Sequence, residues 1–440
     1  MIGRREIEPR EIEPREIEPR EIEIDAQMTE AEAGRRSRVL MKGNEAIGEA
    51  AIQAGCDAYF GYPITPPAEL LEWMARRMPE LGRVFVQAES ELGAINMALG
   101  AAATGARVMV SSSSPGISLM AEAMSYMAGS GTPMVLVNVM RAGPGLGGIG
   151  PSQSDYFQAT KGHGHGDYRV PVLAPASIGE AMELMATAFE LAERYRTPVM
   201  LVADGILGQA MEPVELRFRN PERHVFDWAL TGAAGRPARI IKSIDLQPEV
   251  LERRNLALQR KYAEIARQET RFATECMEDA EYVVVAYGTA ARVARSAIEK
   301  ARARGIKAGL FRPITLWPFP TRELARLSRH VHGILTVELS SGQMVEDVRL
   351  AVEGRCPVAF HGRMGGMVPT PDEVVGALKA LSGKVERTRE REREQQQKRH
   401  SGRVEGQTGG HHRAAEDAHL ERTQGAEVDG RAGARDGGER

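Results

Sequence analysis

Short β-branched and aliphatic runs alternate with amphipathic stretches through the middle of the chain. Val84 to Gln87, Arg107 to Ser111, Pro133 to Met140, Val170 to Leu173 and Pro198 to Asp204 read as strands. Glu89 to Ala103, Ile117 to Ala128 and Ile178 to Arg194 carry helical periodicity between them. A second set follows: Tyr282 to Tyr287, Ala308 to Phe311, Ile334 to Val337 and Val358 to His361, again with helical stretches between, and Leu251 to Glu275 reads as a helical bridge. This alternation predicts an α/β protein of two domains, each a parallel sheet with helices on both faces. The expected bounds are 39–235 and 279–383, joined by a helical connector over 236–278.

The pattern stops at both ends. Arg5 to Ile24 repeat Arg-Glu-Ile-Glu-Pro, and Pro9, Pro14 and Pro19 interrupt any helix before it nucleates. Residues 1–38 therefore read as a disordered extension, with Met41-Lys42-Gly43 resembling a start. From 384 to 440 aliphatic residues almost vanish, so burial offsets little chain entropy and a disordered polar tail is expected. Arg alternates with Glu there, which favours a mixed-charge tail over an RNA-binding one.

Composition narrows the partners. The 440 residues hold 57 Lys plus Arg against 60 Asp plus Glu, a formal net charge of -3, which gives no whole-chain field for nucleic acid or anionic lipid. Cys56, Cys276 and Cys356 lie far apart without a C-x-x-C pair, so neither a disulfide framework nor a cluster motif is present. The longest apolar stretch, Pro133 to Met140, falls far short of the roughly 20 residues of a membrane-spanning helix. A soluble, cytoplasmic protein binding small molecules and protein partners is expected.

Ligands of open α/β sheets bind beyond the carboxyl ends of the strands, so chemistry is sought just after each strand. Gly61-Tyr62-Pro63-Ile64-Thr65-Pro66 is a rigid turn into a helix, with Thr65 placed as N-cap and Pro66 at the first helical position; capping and ligand contact both account for it. Gln87-Ala88-Glu89-Ser90-Glu91 opens a small-residue helix. The helix dipole accounts for Glu91, while Glu89, nearer the strand end, is the candidate for acid/base work. Ser111 to Ser114 precede Pro115 and offer donors and acceptors, although a serine cap before proline is ordinary. Arg141 ends a strand and leads a glycine-rich loop, an arrangement suited to bidentate capture of a carboxylate; a surface ion pair is the competing reading. Gly143, Gly145 and Gly148 formally spell G-x-G-x-x-G, yet Pro151 and polar residues follow where a dinucleotide fingerprint needs a helix. His163, His165 and Asp167 lie on glycine spacing that lacks fixed metal geometry, so no metal site is assigned.

In order along the chain, "GYPITP", "QAESE", "SSSSPGISLM", "VNVMRAGPG", "SQSDYFQATKGHGHGDY", "FRPITLWPFP" and "VELSSGQM" resemble the α-type subunit of 2-oxoacid:ferredoxin oxidoreductases, nearest the branch acting on 3-methyl-2-oxobutanoate. The resemblance covers about Met41 to Ala380. It departs at Pro67-Ala68, where a small polar residue is more usual. It implies a thiamine diphosphate-binding pyrimidine domain followed by a transketolase C-terminal-like domain. It further implies that Glu89 hydrogen-bonds the aminopyrimidine ring and activates the cofactor, that Thr65 and Arg141 bind the oxoacid, and that Tyr62, Pro63, Ile64 and Ser114 line the cofactor. The products would be an acyl-CoA, carbon dioxide and reduced ferredoxin. The chain lacks cluster cysteines and a Gly-Asp-Gly motif with a downstream Asn. The resemblance therefore places Mg²⁺, the diphosphate and the 4Fe-4S clusters on partners, a β-type subunit and a ferredoxin-like small subunit. A pyruvate- or 2-oxoglutarate-using relative and a non-catalytic assembly subunit of the same fold stay open.

Overall fold

The computed structural model describes residues 38–162, 164–216 and 225–423, with side chains as far as 397. Most of the N-terminal repeat extension and His163 lie outside the described residues. Seven strands form the first sheet, in the order Thr315–Trp317, Val172–Leu173, Pro198–Asp204, Met134–Met140, Val108–Ser112, Ala58–Gly61, Val84–Gln87. The last six run parallel. The central strands Met134–Met140 and Pro198–Asp204 are buried at every position, which is why their sequences are apolar without alternation. Ala58–Gly61 carries no clear strand signal of its own. Four residues are too few to show a period, and the strand is held by pairing with both neighbours.

The second sheet has the order Val358–Gly362, Gly333–Glu338, Tyr282–Val285, Ala308–Pro313, Phe272–Glu275. Its last strand is antiparallel and corrects the expectation of a helix to Glu275: the helix Pro248–Gln268 ends first, and Phe272 and Ala273 are buried on the sheet edge. The stretch Ile117 to Ala128 likewise divides into Ser114–Leu119 and Ala121–Ser130. Arg38–Lys42 pairs antiparallel with Met211–Glu215, so regular structure starts three residues before Met41.

The two α/β domains share structure. Thr315–Trp317, from the second half of the chain, adds an antiparallel edge to the first sheet. The fully buried Arg312 of the second sheet forms a two-pronged pair with Glu180, Nη1 to Oε2 at 3.0 Å and Nη2 to Oε1 at 2.8 Å. Asp204, at the end of a first-sheet strand, accepts from Ile206 N at 3.0 Å and Leu207 N at 3.1 Å in its own helix. It also accepts from Thr289 N at 3.2 Å and Thr289 Oγ1 at 2.8 Å at the start of the helix Gly288–Ala303. Gln153 donates to Tyr287 O at 2.8 Å and accepts from Leu339 N at 3.0 Å.

Residues 383–440 form a separate unit. The tail expected to be disordered is helical as far as Thr423, within the helix Pro371–Thr423. Opposite charges three residues apart, such as Arg387 with Glu390 and Arg391 with Glu394, stabilise a helix by roughly 0.2–0.5 kcal/mol per pair without any buried face.

Replacing Glu180 with Gln leaves the Arg312 guanidinium buried without a counter-charge. The expected loss of unfolding free energy is about 3 kcal/mol or more, read from denaturant midpoints. A loss below about 1 kcal/mol would show that the pair does not hold the domains together.

Candidate active site

From Ala58–Gly61 the chain passes outward to Val84–Gln87 and then returns across it to Val108–Ser112. The direction of winding reverses there, leaving a crevice at the carboxyl ends of Ala58–Gly61 and Val108–Ser112. Three segments surround it: the turn 61–67, residues 88–91, and the serine run 111–114.

Two acids enter from the second segment, and their surroundings differ. Ser90 caps the helix Glu91–Ala103, its hydroxyl accepting from Gly93 N at 3.1 Å, which sets the phase of the first turn. Glu91 is then turned inward and is only 7% exposed. It lies toward Gly116, where an added Cβ would stand 2.8 Å from Glu91 Oε1 and 2.1 Å from Ser112 Oγ, so only glycine leaves the carboxylate room. Glu89 is exposed and rests over Gly93, an added Cβ there meeting its Oε1 at 2.6 Å. Among the described residues Glu91 has no hydrogen-bond or ion-pair partner. The sequence put the acid/base chemistry on Glu89 and left Glu91 to the helix dipole; the fold leaves Glu89 exposed at the strand end and turns Glu91 toward the serine run, so the two acids stand on different sides of the first turn.

The serine run divides as well. Ser112 Oγ and Ser113 Oγ are buried and lack partners, a costly state that a ligand would relieve. Ser114, expected to line the cofactor, is occupied within the chain: its hydroxyl donates to Asp155 Oδ2 at 2.6 Å and accepts from Arg141 N at 3.0 Å. Asp155 also accepts from Asn138 Nδ2 at 2.9 Å. Burial pushes the Asp155 carboxyl up, and the bonds from Ser114 and Asn138 pull it partly back.

Thr65 and Arg141 meet. Arg141 Nη1 donates to Thr65 O at 3.1 Å and Nη2 to Leu146 O at 3.3 Å, while its Nε is buried without a partner. Thr65 is not the expected N-cap. The helix Ala68–Glu80 begins after Pro67 and has no side-chain cap, so the Thr65 hydroxyl is unused among the described residues. Tyr62 and Pro63 are exposed and Ile64 half-buried, forming one wall above the strand ends. Beside Arg141 lies a cavity of about 620 Å³, bordered by Ser114, Ala142, Asp155 and Gln158 and, across from them, Ser340 and Gln343.

No helix follows Gly148 before Tyr156–Thr160, which removes the dinucleotide reading of the glycine loop. Among the described residues no group of three or more His, Cys, Asp or Glu side chains is placed to hold a metal ion. Cys56 and Cys356 are buried, with thiols pushed up by burial to about 12 and about 11, and Cys276 is exposed on a separate element. No helix among the described residues is long and apolar enough to cross a membrane.

The donor set suits one half of thiamine diphosphate. An aminopyrimidine takes a carboxylate at its ring nitrogen and polar groups around its amino substituent; the crevice has two acids, Glu89 and Glu91, and the unpartnered Ser112 and Ser113 hydroxyls. Serine, asparagine and glycine, read singly, look like turn residues, so their convergence had no linear signal. Glu91 had one, an acid in a helix's first turn, which the dipole explained too easily.

Residues 49–281 match the family described as pyruvate flavodoxin/ferredoxin oxidoreductase, thiamine diP-binding, and residues 280–374 match pyruvate:ferredoxin oxidoreductase core domain II. The ketoisovalerate oxidoreductase subunit VorB of Methanothermobacter marburgensis is 49% identical over 78% of this chain and 98% of its own length. The 2-oxoglutarate synthase subunit KorA of Methanothermobacter thermautotrophicus is 34% identical, over 78% of this chain and 98% of its own. A solved structure, 2-oxoglutarate:ferredoxin oxidoreductase from Magnetococcus marinus with 2-oxoglutarate, coenzyme A and succinyl-CoA bound, aligns with a TM-score of 0.70 at 26% identity. The alignment covers 79% of this chain and 65% of that one, so this chain spans just under two thirds of it.

A carboxyl raised in the folded state gives up its proton later than in the unfolded chain. Stability therefore falls as pH rises from the unfolded value, about 3.9, through the folded one. Replacing Asp155 with Asn removes one such group, and unfolding free energies at a series of pH values should decline less steeply than in the wild type. An unchanged slope would show that Asp155 is not raised.

Proposed function

We propose that this chain, which belongs to the 2-oxoacid:ferredoxin oxidoreductase family, provides the pyrimidine half of a thiamine diphosphate site in an enzyme that oxidatively decarboxylates 3-methyl-2-oxobutanoate. The observation that carries the reading is Glu91, a buried carboxylate without a partner, beside two unpartnered serine hydroxyls at the sheet's switch point. When bound, thiamine diphosphate supplies the carbon that attacks the oxoacid carbonyl and accepts the electron pair left as carbon dioxide departs. Glu91 holds a proton at the pyrimidine ring nitrogen, and its burial strengthens that bond. Ser112 and Ser113 orient the ring. Arg141 pairs with the oxoacid carboxylate, and Thr65, held beside it through its carbonyl, turns its hydroxyl toward the substrate. Tyr62, Pro63 and Ile64 restrict access of water from the turn. The diphosphate, Mg²⁺ and 4Fe-4S clusters belong, in this reading, to a β-type subunit and a ferredoxin-like small subunit. Coenzyme A takes the acyl group and ferredoxin the electrons.

The substrate assignment follows the ketoisovalerate relatives, at 49% and 50% identity, over the 2-oxoglutarate relatives at 34% and below 40% generally. With the co-purified complex, 3-methyl-2-oxobutanoate should give a higher kcat/KM than pyruvate or 2-oxoglutarate in coenzyme A-dependent viologen reduction. A preference for 2-oxoglutarate would move the chain to that branch, and no turnover with any oxoacid would favour an assembly subunit.

The two acids are separable by the same assay. Glu91→Gln should lower kcat by about a hundredfold or more, and Glu89→Gln by less than about tenfold. The reverse order would return the catalytic role to Glu89.

A further inference from the structure

We infer that Asp155 is a positioning residue for the oxoacid, acting through Ser114 on the main chain of Arg141 and so on the direction of its guanidinium. The inference rests on the reading of Arg141 as the carboxylate-binding group. Asp155 occupies the N-cap position of the helix Tyr156–Thr160, where an aspartate normally accepts from a helix N–H; here its side chain makes no cap bond. The carboxylate turns instead toward the strand ends. There Oδ2 receives the Ser114 hydroxyl at 2.6 Å and Asn138 Nδ2 at 2.9 Å, and Ser114 Oγ receives Arg141 N at 3.0 Å. Three residues far apart in sequence thus fix one peptide unit of Arg141.

The side chain beyond that peptide unit has less support. Arg141 leads into a glycine-rich loop in which added Cβ atoms at Gly143, Gly145 and Gly148 would meet nothing within 4 Å, while Gly147 closes on Ala142 O and Gly150 on Gly366. Its other anchors are a bridge to Pro151 and a bond from Ala142 N to Gly150 O at 3.0 Å, within the loop's own hairpin. The same loop, through Ala142, Gly143 and Gly145, borders the cavity of about 620 Å³, which Ser114 and Asp155 also line. Where the loop faces the cavity, a hydrogen-bond chain rooted in a 9%-exposed carboxyl holds the main-chain N–H of Arg141, while the guanidinium reaches Thr65 O and Leu146 O. An ångström of misplacement in such a clamp is enough to cost a large factor in substrate use.

The test is a double-substitution cycle in the complete complex with its partner chains. Asp155→Ala and Ser114→Ala should each raise the KM for 3-methyl-2-oxobutanoate about tenfold, with thiamine diphosphate affinity changed by less than about twofold. Asp155→Asn, whose amide oxygen can still accept the Ser114 hydroxyl, should recover part of that rise. In an Arg141→Ala background the Asp155→Ala change should shift KM by less than about twofold, because its target is gone. Amide exchange at Arg141 should quicken in Ser114→Ala, a readout independent of turnover. If Asp155→Ala retains its full effect without Arg141, or leaves KM unaltered, the positioning role is wrong. Should Asp155→Ala not fold, Ser114→Ala carries the same cycle. An Arg141→Ala variant with normal KM overturns the reading of Arg141 itself, whereas a raised KM in Arg141→Ala with additive Asp155 effects overturns only the positioning role.

Discussion

The buried carboxylate of Asp204 is the point on which the two α/β domains turn. Taking a charge out of water is costly, and the cost is offset here by four donors from two helices, one in each domain. Because each donor belongs to the first turn of a helix, the favourable ends of two helix dipoles meet on one group. The two domains cannot separate without exposing both helix ends and stranding the charge. Burial nonetheless pushes this carboxyl up, so the four bonds do not fully cancel the cost of desolvation.

That junction fixes the loop on which the site depends. Gln153 is bonded on both sides to the second domain, and Tyr156 donates to Asp347 Oδ2 at 2.6 Å. Asp155, which lies between them, therefore has a fixed origin from which to reach Ser114 and Asn138. The second domain thus holds the far end of the loop that Arg141 leads into.

The crevice itself is half a site. Its acids and hydroxyls come from the two segments after Val84–Gln87 and Val108–Ser112, and among the described residues no group of three or more His, Cys, Asp or Glu side chains is placed to hold a metal ion. In the proposed reading, turnover is conditional on assembly with the partner chains. A chain that leaves the Ser112 and Ser113 hydroxyls buried and unpartnered also lowers its own stability, which a bound ligand would restore.

Local sequence determined the parallel-sheet architecture, the approximate strand positions and the short list of strand-end segments, because burial on both faces produces apolar runs that survive without knowledge of their neighbours. It also placed Thr65 and Arg141 among the candidates, though not together. What tertiary structure decided was orientation and partnership. Glu89 and Glu91 differ by two residues, a large rotation on a helix, and the cap at Ser90 together with the glycine at 116 determined which of them faces inward. Ser114, half-buried at the start of its helix, has Asp155 and Arg141 within reach, whereas the fully buried Ser112 and Ser113 hydroxyls have no partner. The short strands Ala58–Gly61, Phe272–Glu275 and Thr315–Trp317 exist through pairing with strands distant in sequence, and a period of two cannot be read from three or four residues. The helical signal of a residue is local; its hydrogen-bond partner is set by the sheet order, and that is a property of the fold alone.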